Sequence, residues 1–488
     1  MEDLQHKQIL QRIAHRAMEE RGLLPDFSAA ELAELSRLQA LPLEDHLQVR
    51  DLRSLLWCSI DNDDSLDLDQ LSVAQQMPDQ SIKILVAIAD VDGLVKKGSL
   101  LDEHACHNTS SVYTTAQIFP MLPETLSTDL TSLKGGADRP AIIIEYTVNN
   151  NGEVQSSDVY LALVHNYAKL AYNSVAAWLE GNGHMPEALA AIKGLPENLR
   201  LQDRAAQILK GFRHVHGALS LETREAHPVF TDGTLSSLEI EEKNRAKELI
   251  EDLMITANGV TARFLDAKKF PSLRRVVHEP KRWDRIVEVA AEHGAALPDQ
   301  PDSKALEDFL VQAQKGDPLR FPDLSLTIIK LLGPGEYMAD VPGQEVPGHF
   351  GLAVRDYSHS TAPNRRFPDL ITHRLIKAAL NGDPWPYSID ELTSLALHCT
   401  QEENEVNKVE RQVNKSAAAI LLEDRIGETF DAIVTGAADK GTWVRLLQFP
   451  VEGKLIQNFQ GVDVGQKVKV KLVDVNVEKG FIDFKKIN

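Results

Sequence analysis

Five aspartates fall within nine residues of the segment Ser59-Ile60-Asp61-Asn62-Asp63-Asp64-Ser65-Leu66-Asp67-Leu68-Asp69-Gln70. Crowded like charges repel, so such a cluster is costly unless cations sit among it. Hard divalent ions such as Mg²⁺ take carboxylate oxygens and keep several waters. Two such ions about 4 Å apart can hold an attacking water and a leaving oxygen in line for phosphodiester hydrolysis. Asp61, Asp63, Ser65 and Asp67 also stand at the alternate positions of a calcium loop. That loop needs Gly at its sixth place and Glu at its twelfth, where this chain has Leu66 and Ser72. A solvated acidic loop is the plain alternative. Against it, Leu66 and Leu68 alternate with Asp67 and Asp69, which suggests an ordered strand or bend with one face of carboxylates.

A second constellation runs from Tyr357 to Asp369 and contains Arg365, Arg366 and Pro368, with His373 and Arg374 just beyond. Pro368 suits the first turn of a helix, so the two arginines lie just before a helix start, where anions are favoured. Guanidinium groups there can hold a phosphate or stabilise charge developing on a leaving oxygen. The plain alternative is a solvated surface pair. Asp369 and His373 are four apart and share a helix face, so Asp369 either orients His373 or caps the helix. His104, Cys106 and His107 are close together, but no second ligand pair stands at zinc spacing, and they read as structural.

The elements that must position these residues follow from periodicity. Residues 1–50 read as helical, with Ile9, Ile13 and Met18 in one piece and Leu32, Leu35 and Leu38 in the next. Pro25, Asp26 and Ser28 separate the pieces and cap the second. This segment is either a helical arm packed on its neighbour or a small helix-turn-helix. Ile82 to Ala89 reads as a buried strand. Ile142 to Val148 and Val159 to Val164 read as a hairpin, with Asn151-Gly152 in a tight turn. Asn173 is expected to cap a short helix ending at Gly181. A long amphipathic helix is expected over 243–268, with Ala246, Leu249, Leu253, Ala257, Val260 and Phe264 on one stripe. Another is expected from Pro368 to Asn381-Gly382, and a third from Ile389 to Leu422 with a break near Thr400. The last 60 residues change to short alternating strands at 430–434, 442–446, 467–473 and 480–484. Glycines punctuate them, which fits a small closed barrel of the OB type. Lys467, Lys469 and Lys471 share one strand face there, and Phe430, Trp443 and Phe449 are either base-stacking residues or core.

The formal net charge is −20, which argues against a protein that coats nucleic acid through a basic surface. It leaves room for a nuclease that grips phosphate locally. Residues 425–488 carry ten Lys/Arg and eight Asp/Glu, a shift to +2 that marks a separate module. The charged amino terminus predicts no signal peptide, and the longest apolar stretch is too short to span a bilayer. Three scattered cysteines, Cys58, Cys106 and Cys399, predict no disulfide framework and a reducing, cytoplasmic setting.

Together the two chemical segments resemble the ribonuclease II (RNB) family, which includes ribonuclease R. The acidic cluster is similar to the family's Ile-Asp-…-Asp-x-Asp-Asp motif. Tyr113 with Pro120-Met121-Leu122-Pro123 is similar to its Val-Tyr-…-Pro-Met-Leu-Pro segment. Asp252-Leu253-Met254-x-x-Ala257-Asn258 and Arg275-Val276-Val277-His278-Glu279 resemble its central helix and the following strand. His359 to Arg374 resembles its Thr-x-Pro-x-Arg-Arg-Tyr-x-Asp-x-x-x-His-Arg signature.

The resemblance implies an α+β fold. A mixed α/β catalytic domain would occupy 51–425, after the helical segment 1–50, and a five-stranded OB-fold barrel of the ribosomal S1 type would occupy 426–488. It implies hydrolysis of single-stranded RNA from the 3′ end to nucleoside 5′-monophosphates, with Mg²⁺ or Mn²⁺. Asp61, Asp67, Asp69 and Gln70 fall on the metal positions, and Asp69 and Arg365 on catalytic ones. Tyr113, Arg366, His373 and Glu410 fall on substrate-binding positions, with Tyr113 stacking on the terminal base. Phe270 is a candidate second aromatic. The expected partner is the 3′ end of single-stranded RNA, with no membrane and no protein partner read from the sequence, and a monomer is expected. Two departures stand out. Gln70 replaces a carboxylate, so either Asp63 or Asp64 compensates or one metal binds weakly. The family's amino-terminal cold-shock barrels have no counterpart in 1–50, so RNA is expected to enter past a different surface. The competing function is an RNA-binding protein of the same fold with weakened catalysis.

Overall fold

A computed structural model describes residues 6–38, 49–222, 225–231, 234–241, 243–318, 320–438, 441–462 and 466–487. Helix α1 (His6–Glu20) turns Leu10, Ile13, Ala14, Ala17 and Met18 inward. The short α2 (Ala29–Leu35) is capped by Ser28, as expected. The Ser28 hydroxyl accepts from Glu31 N while the Glu31 carboxylate accepts from Ser28 N.

A mixed sheet follows, beginning with β1 (Arg50–Asp51), β2 (Cys58–Asp61), β3 (Gln70–Gln76) and β4 (Ile82–Ala89). Helix α3 (Leu100–Asn108) and the hairpin β5 (Val112–Tyr113) and β6 (Ile118–Phe119) come next. The sheet resumes with β7 (Asp138–Val148), β8 (Val154–His165) and β9 (Ala168–Ala171). Among the described residues its order is β1-β8-β7-β4-β3-β2-β9, antiparallel except where β1 meets β8 and β2 meets β9. β4 is buried along almost its whole length, which explains its unbroken apolar run. The β7–β8 hairpin is present, but its turn is longer than a two-residue Asn-Gly turn. It spans 149–153, and Asn149 Oδ1 accepts from Asn151 N and Glu153 N. Gly152 takes φ +91°, and a Cβ there would lie 2.3 Å from Phe212 Cβ.

Three helices follow: α4 (Tyr172–Leu179), α5 (Glu187–Ala190) and α6 (Leu195–Val215). α4 starts two residues earlier than expected, at Tyr172, with Ala171 in the capping position and no side-chain cap. Strands β10 (Glu225–Thr231) and β11 (Thr234–Glu241) pair antiparallel. The long α7 (Arg245–Ala267), capped by Asn244, buries the expected stripe Ala246, Leu249, Leu253, Ala257 and Val260. Next come β12 (Ser272–Val276), the helices α8 (Trp283–Glu292), α9 (Ser303–Gly316) and α10 (Phe321–Leu332), and β13 (Glu336–Asp340), which pairs back to β12. The three helices share a satellite core around Trp283, Leu306 and Phe321.

α11 (Phe367–Asn381) ends on Gly382 in the left-handed region, and α12 (Ile389–Leu422) follows. The expected break at Thr400 is absent, and α12 is one helix of 34 residues. Thr400 Oγ1 donates to Ala396 O at 2.9 Å and accepts from Tyr337 N at 2.8 Å, so its hydroxyl is satisfied without opening the helix.

The chain closes with β14 (Thr429–Ala438), β15 (Gly441–Leu446), β16 (Glu452–Gln457), β17 (Lys467–Asn476) and β18 (Phe481–Ile487). They form a closed barrel in the order β14-β15-β16-β18-β17. β16 escaped the pattern because its inward residues are Gly453 and Leu455, a weak alternation. Phe430 and Phe484 fill the barrel, and Ala418, Ala419 and Leu422 of α12 complete its core. The lysines of β17 face outward while Val468 and Val470 face in. The fold is therefore α+β, as expected. No helix among the described residues is long and apolar enough to cross a membrane.

One further core joins distant parts of the chain. Leu10, Ala14 and Met18 of α1 pack with Val112 and Phe119 of the β5–β6 hairpin and with Val406, Val409 and Val413 of α12. Leu10 is fully buried there. Leu10→Ala should cost about 2–5 kcal/mol of stability, read from denaturant unfolding of the purified chain. A cost below about 0.5 kcal/mol would mean that α1 is not docked in solution.

Candidate active site

β2 ends on Asp61 and β3 begins on Gln70, and the residues between them cross over as an irregular segment rather than a strand. Asp61 Oδ1 closes this loop by accepting from Asn62 N at 2.8 Å and Ser65 Oγ at 2.9 Å. Ser132 pins it from below, donating to Leu66 O and accepting from Leu68 N. Leu68 is buried and Leu66 is 61% exposed, so the leucines do not form one apolar face. Asp63 and Asp64 are exposed at the bend. Asp61, Asp67 and Gln70 line a cavity of 540 Å³, joined by Tyr113, Arg365 and Arg366.

The arginine segment reaches this cavity because several elements staple it. Asn258 of α7 accepts Ser360 N and Ser360 Oγ, both at 2.9 Å. Thr261 Oγ1 meets Ser360 Oγ at 3.0 Å, and His373 Nε2 donates to Ser360 O at 2.7 Å. Asp369 Oδ1 accepts from Ala362 N and from Arg366 Nη2, both at 2.8 Å. Arg365 O accepts from Ser111 N at 3.0 Å. The decisive contact comes from Asp69, whose Oδ1 accepts from Asn364 N at 3.0 Å and whose Oδ2 accepts from Arg365 Nε at 3.1 Å. The acidic and arginine segments, nearly 300 residues apart in sequence, thus meet in one ion pair. Helix α11 is anchored beneath by a buried ionic cluster, in which Arg374 pairs with Asp92 and Asp102, and Lys377 with Asp90.

The third wall is the polar face of α7. Lys247, Glu251, Met254 and Asn258 line the cavity, as do Tyr172 at the start of α4 and Tyr357. Sequence reasoning placed Met254, Asn258 and Tyr357 in its motifs without giving them a role, and missed Lys247, Glu251 and Tyr172. The polar side of an amphipathic helix looks solvent-facing, and only packing reveals that it borders a cavity. The helical spacing of 247, 251, 254 and 258 was the available signal.

The remaining expected residues take other places. His373, expected at the substrate, is fully buried beneath the arginine loop and stays away from the cavity. Its position four residues after Asp369 puts it on the packed face of α11, so it supports Ser360 instead. Asp369 neither orients His373 nor caps the helix alone, since its Oδ1 holds the loop. Glu410 Oε1 accepts from Tyr113 N at 2.9 Å, so it fixes the strand that carries Tyr113. Tyr113 itself is 41% exposed and lines the cavity. Phe270 packs against the main core. His104 lies under Phe27 and beside Glu31.

Two sequence models match the chain, the RNB domain over residues 49–382 and the RNase II-type exonuclease C-terminal S1 domain over 428–487. The chain belongs to the RNB family. It is 30% identical to ribonuclease R of Escherichia coli (strain K12) over 476 residues, which cover 90% of this chain and 57% of that one. This RNB chain therefore spans little more than half the length of the curated relatives it matches. Mycoplasma genitalium RNase R in complex with ribose methylated single-stranded RNA superposes with a TM-score of 0.87 at 22% identity, covering 99% of this chain and 78% of that one. Yeast Ssd1, a pseudonuclease, superposes with a TM-score of 0.71 at 15% identity, covering 91% and 55%. At these identities the superpositions speak for the fold.

The donor chemistry of the RNB cavity fits a divalent cation. Asp61, Asp67 and Gln70 present only oxygen acceptors and one amide, as hard ions require. Gln70 is 8% exposed, and its side-chain amide has no hydrogen-bond partner among the described residues. Burial raises the Asp67 carboxyl above its usual value and lifts Asp69 to about 7 against the pull of Arg365. The carboxylates do not converge on a point. Among the described residues no three His, Cys, Asp or Glu side chains are gathered for an ion, because Asp69 is turned to Arg365.

Buried histidines oppose Asp69 in their pH response. Burial lowers His349 to about 4 and holds His359 and His373 below the usual 6.5. Their contribution to stability is complete above about 6.5 and is lost as pH falls, through about 4 for His349. Asp69 has a raised folded value, so its contribution is present at low pH and is lost as pH rises through about 7. On these four groups the chelator-treated protein should melt highest near pH 6.5, and lose a little as Asp69 finishes ionising at about 7. Asp69→Asn should remove the small loss between about pH 6.5 and 7 and keep the decline on the acid side. A wild-type melting temperature that climbs steadily to pH 8.5 would contradict this balance.

Proposed function

We propose that this chain is a 3′-to-5′ exoribonuclease, which hydrolyses single-stranded RNA to nucleoside 5′-monophosphates with a divalent cation, Mg²⁺ or Mn²⁺. One observation carries the reading: a buried carboxylate, Asp69, aims the half-exposed Arg365 over a cavity lined by Asp61, Asp67 and Gln70. Family membership supports the reaction type. The superposed RNase R in complex with single-stranded RNA supports the substrate class. The same reading divides the chain near residues 50 and 425 into arm, catalytic domain and barrel, and takes it as a monomer. The three unpaired cysteines favour a reducing, cytoplasmic setting.

Asp61, Asp67 and Gln70 would hold the cation, with Asp69 beside them. A divalent ion bound there supplies charge neutralisation and a water of lowered pKa. Arg365 spends only its Nε on Asp69, which leaves its terminal nitrogens for phosphate oxygens. Arg366 adds a second cation whose position Asp369 sets. Tyr113 offers a face to the terminal base without regard to sequence. His373 and Asn258 keep the arginine loop rigid, so the guanidinium needs little reorganisation as charge develops.

The purified chain with Mg²⁺ or Mn²⁺ should release mononucleotides from a 3′-labelled single-stranded RNA, and EDTA should stop it. Asp69→Asn and Arg365→Ala should each lower kcat by about 10²–10³ while RNA affinity stays within a few-fold. Tyr113→Ala should weaken RNA binding by about 1–3 kcal/mol. If the wild type releases no mononucleotide and Asp69→Asn changes nothing, the chain is an RNA-binding protein and the enzymatic reading falls.

A further inference from the structure

On the other side of α7 lies a second cavity of 360 Å³, which shares Ile255 with the first. Asp356 lines the second and Tyr357 the first, so one stretch of chain forms part of the partition. Three arginines line this second cavity, Arg213 of α6, Arg263 of α7 and Arg355, the last two exposed. Arg263 folds back along its helix over Gly259. A Cβ at Gly259 would lie 3.3 Å from Arg263 Nη1 and 3.4 Å from Asp356 O, so the missing side chain makes room for the guanidinium.

The positive charge here is only partly answered from within. Arg263 and Arg355 make no hydrogen bond or ion pair among the described residues. Arg213 is paired with Asp252 behind the cavity, yet its Nε is buried without a partner. Of the two carboxylates on the lining, Asp356 faces Arg274 at 3.5 Å and also acts on Arg263, and Glu153 accepts from Asn149 Nδ2 at 2.8 Å. In a chain of net charge −20, such a gathering of arginines is an anion site by its local field. The rest of the lining is of a different kind, with Phe212, whose ring packs 4.2 Å from that of His216, and with Leu209 and Val354. An anion at one end and a planar apolar body at the other describe one ligand class. The volume falls in the range of small-molecule pockets, about 300–1,000 Å³.

We propose that this second cavity binds a nucleoside 5′-monophosphate, with the phosphate on Arg263 and Arg355 and the base against Phe212. The origin of the ligand rests on the exoribonuclease reading, since that reaction releases this molecule on the opposite side of α7. The site itself rests on the arginines and the ring. A product held there would be kept from re-entering the first cavity.

Calorimetric titration of the full chain with AMP, and separately with inorganic phosphate, tests this without RNA or hydrolysis. AMP should bind the wild type and Arg365→Ala alike, and the Arg263→Gln/Arg355→Gln double variant at least tenfold more weakly. Phe212→Leu should weaken AMP and leave phosphate unchanged. Phosphate should bind at least tenfold more weakly than AMP. Melting temperatures of the variants confirm that they are folded, and Arg263→Gln alone should show an intermediate loss. The proposal is overturned if the double variant binds AMP like the wild type, or if the loss appears only in Arg365→Ala. It is overturned equally if phosphate binds as tightly as AMP, which would make the cavity a simple anion site. A chain that binds AMP through these arginines but releases no mononucleotide from RNA would keep the site and lose the exoribonuclease reading.

Discussion

The carboxylate of Asp69 holds the two halves of the cavity in register. It is 2% exposed and accepts from the backbone of Asn364 and the guanidinium of Arg365 at the far end of the catalytic region. Charge-assisted bonds in a poorly solvated site are strong, and a carboxylate left there alone would be costly. The pull of burial on Asp69 and the pull of Arg365 against it are therefore one fact seen from two sides. Any change in the charge of the cavity is felt at the arginine, and any shift of the loop is felt at the acid.

That contact works because its surroundings are stiff. Asn258, Thr261 and His373 all end on Ser360, so one residue of the loop is held from three directions. Beneath it, Arg374 reaches Asp92, Asp102 and the Tyr387 hydroxyl, and Lys377 reaches Asp90. Buried ion pairs of this kind add little net stability but penalise alternative arrangements, because breaking one leaves a bare charge. Here they fix helix α11, whose first turn follows the two arginines. The geometry of a phosphate grip is thereby set by packing well outside the cavity.

The aromatic wall is assembled from still more distant parts. Tyr113 sits on a two-residue strand that could not hold itself. Glu410 of α12 grips its backbone, and the neighbouring Val112 joins a core made by α1 and α12. The amino-terminal arm therefore bears on the position of Tyr113 without touching the cavity. The same long helix carries the barrel at its other end, so one rod links the aromatic, the arm and the carboxy-terminal module.

Much of this was legible beforehand, and the reasons are local. The capped α2, the strand at Ile82–Ala89, the buried stripe of α7 and the glycine stop of α11 follow from periodicity and capping, which neighbouring residues decide. The α+β class and the two chemical segments were readable because residue types in a short order carry their chemistry with them. The break at Thr400 and the tight turn at Asn151 were misjudged because the tertiary contacts of Tyr337 and Phe212 settle those places. The burial of His373, the partnership of Asp69 with Arg365, the polar face of α7 and the arginine cavity behind it were not legible. They depend on which surfaces meet across hundreds of residues, and periodicity says which face of a helix is apolar without saying what its other face will border.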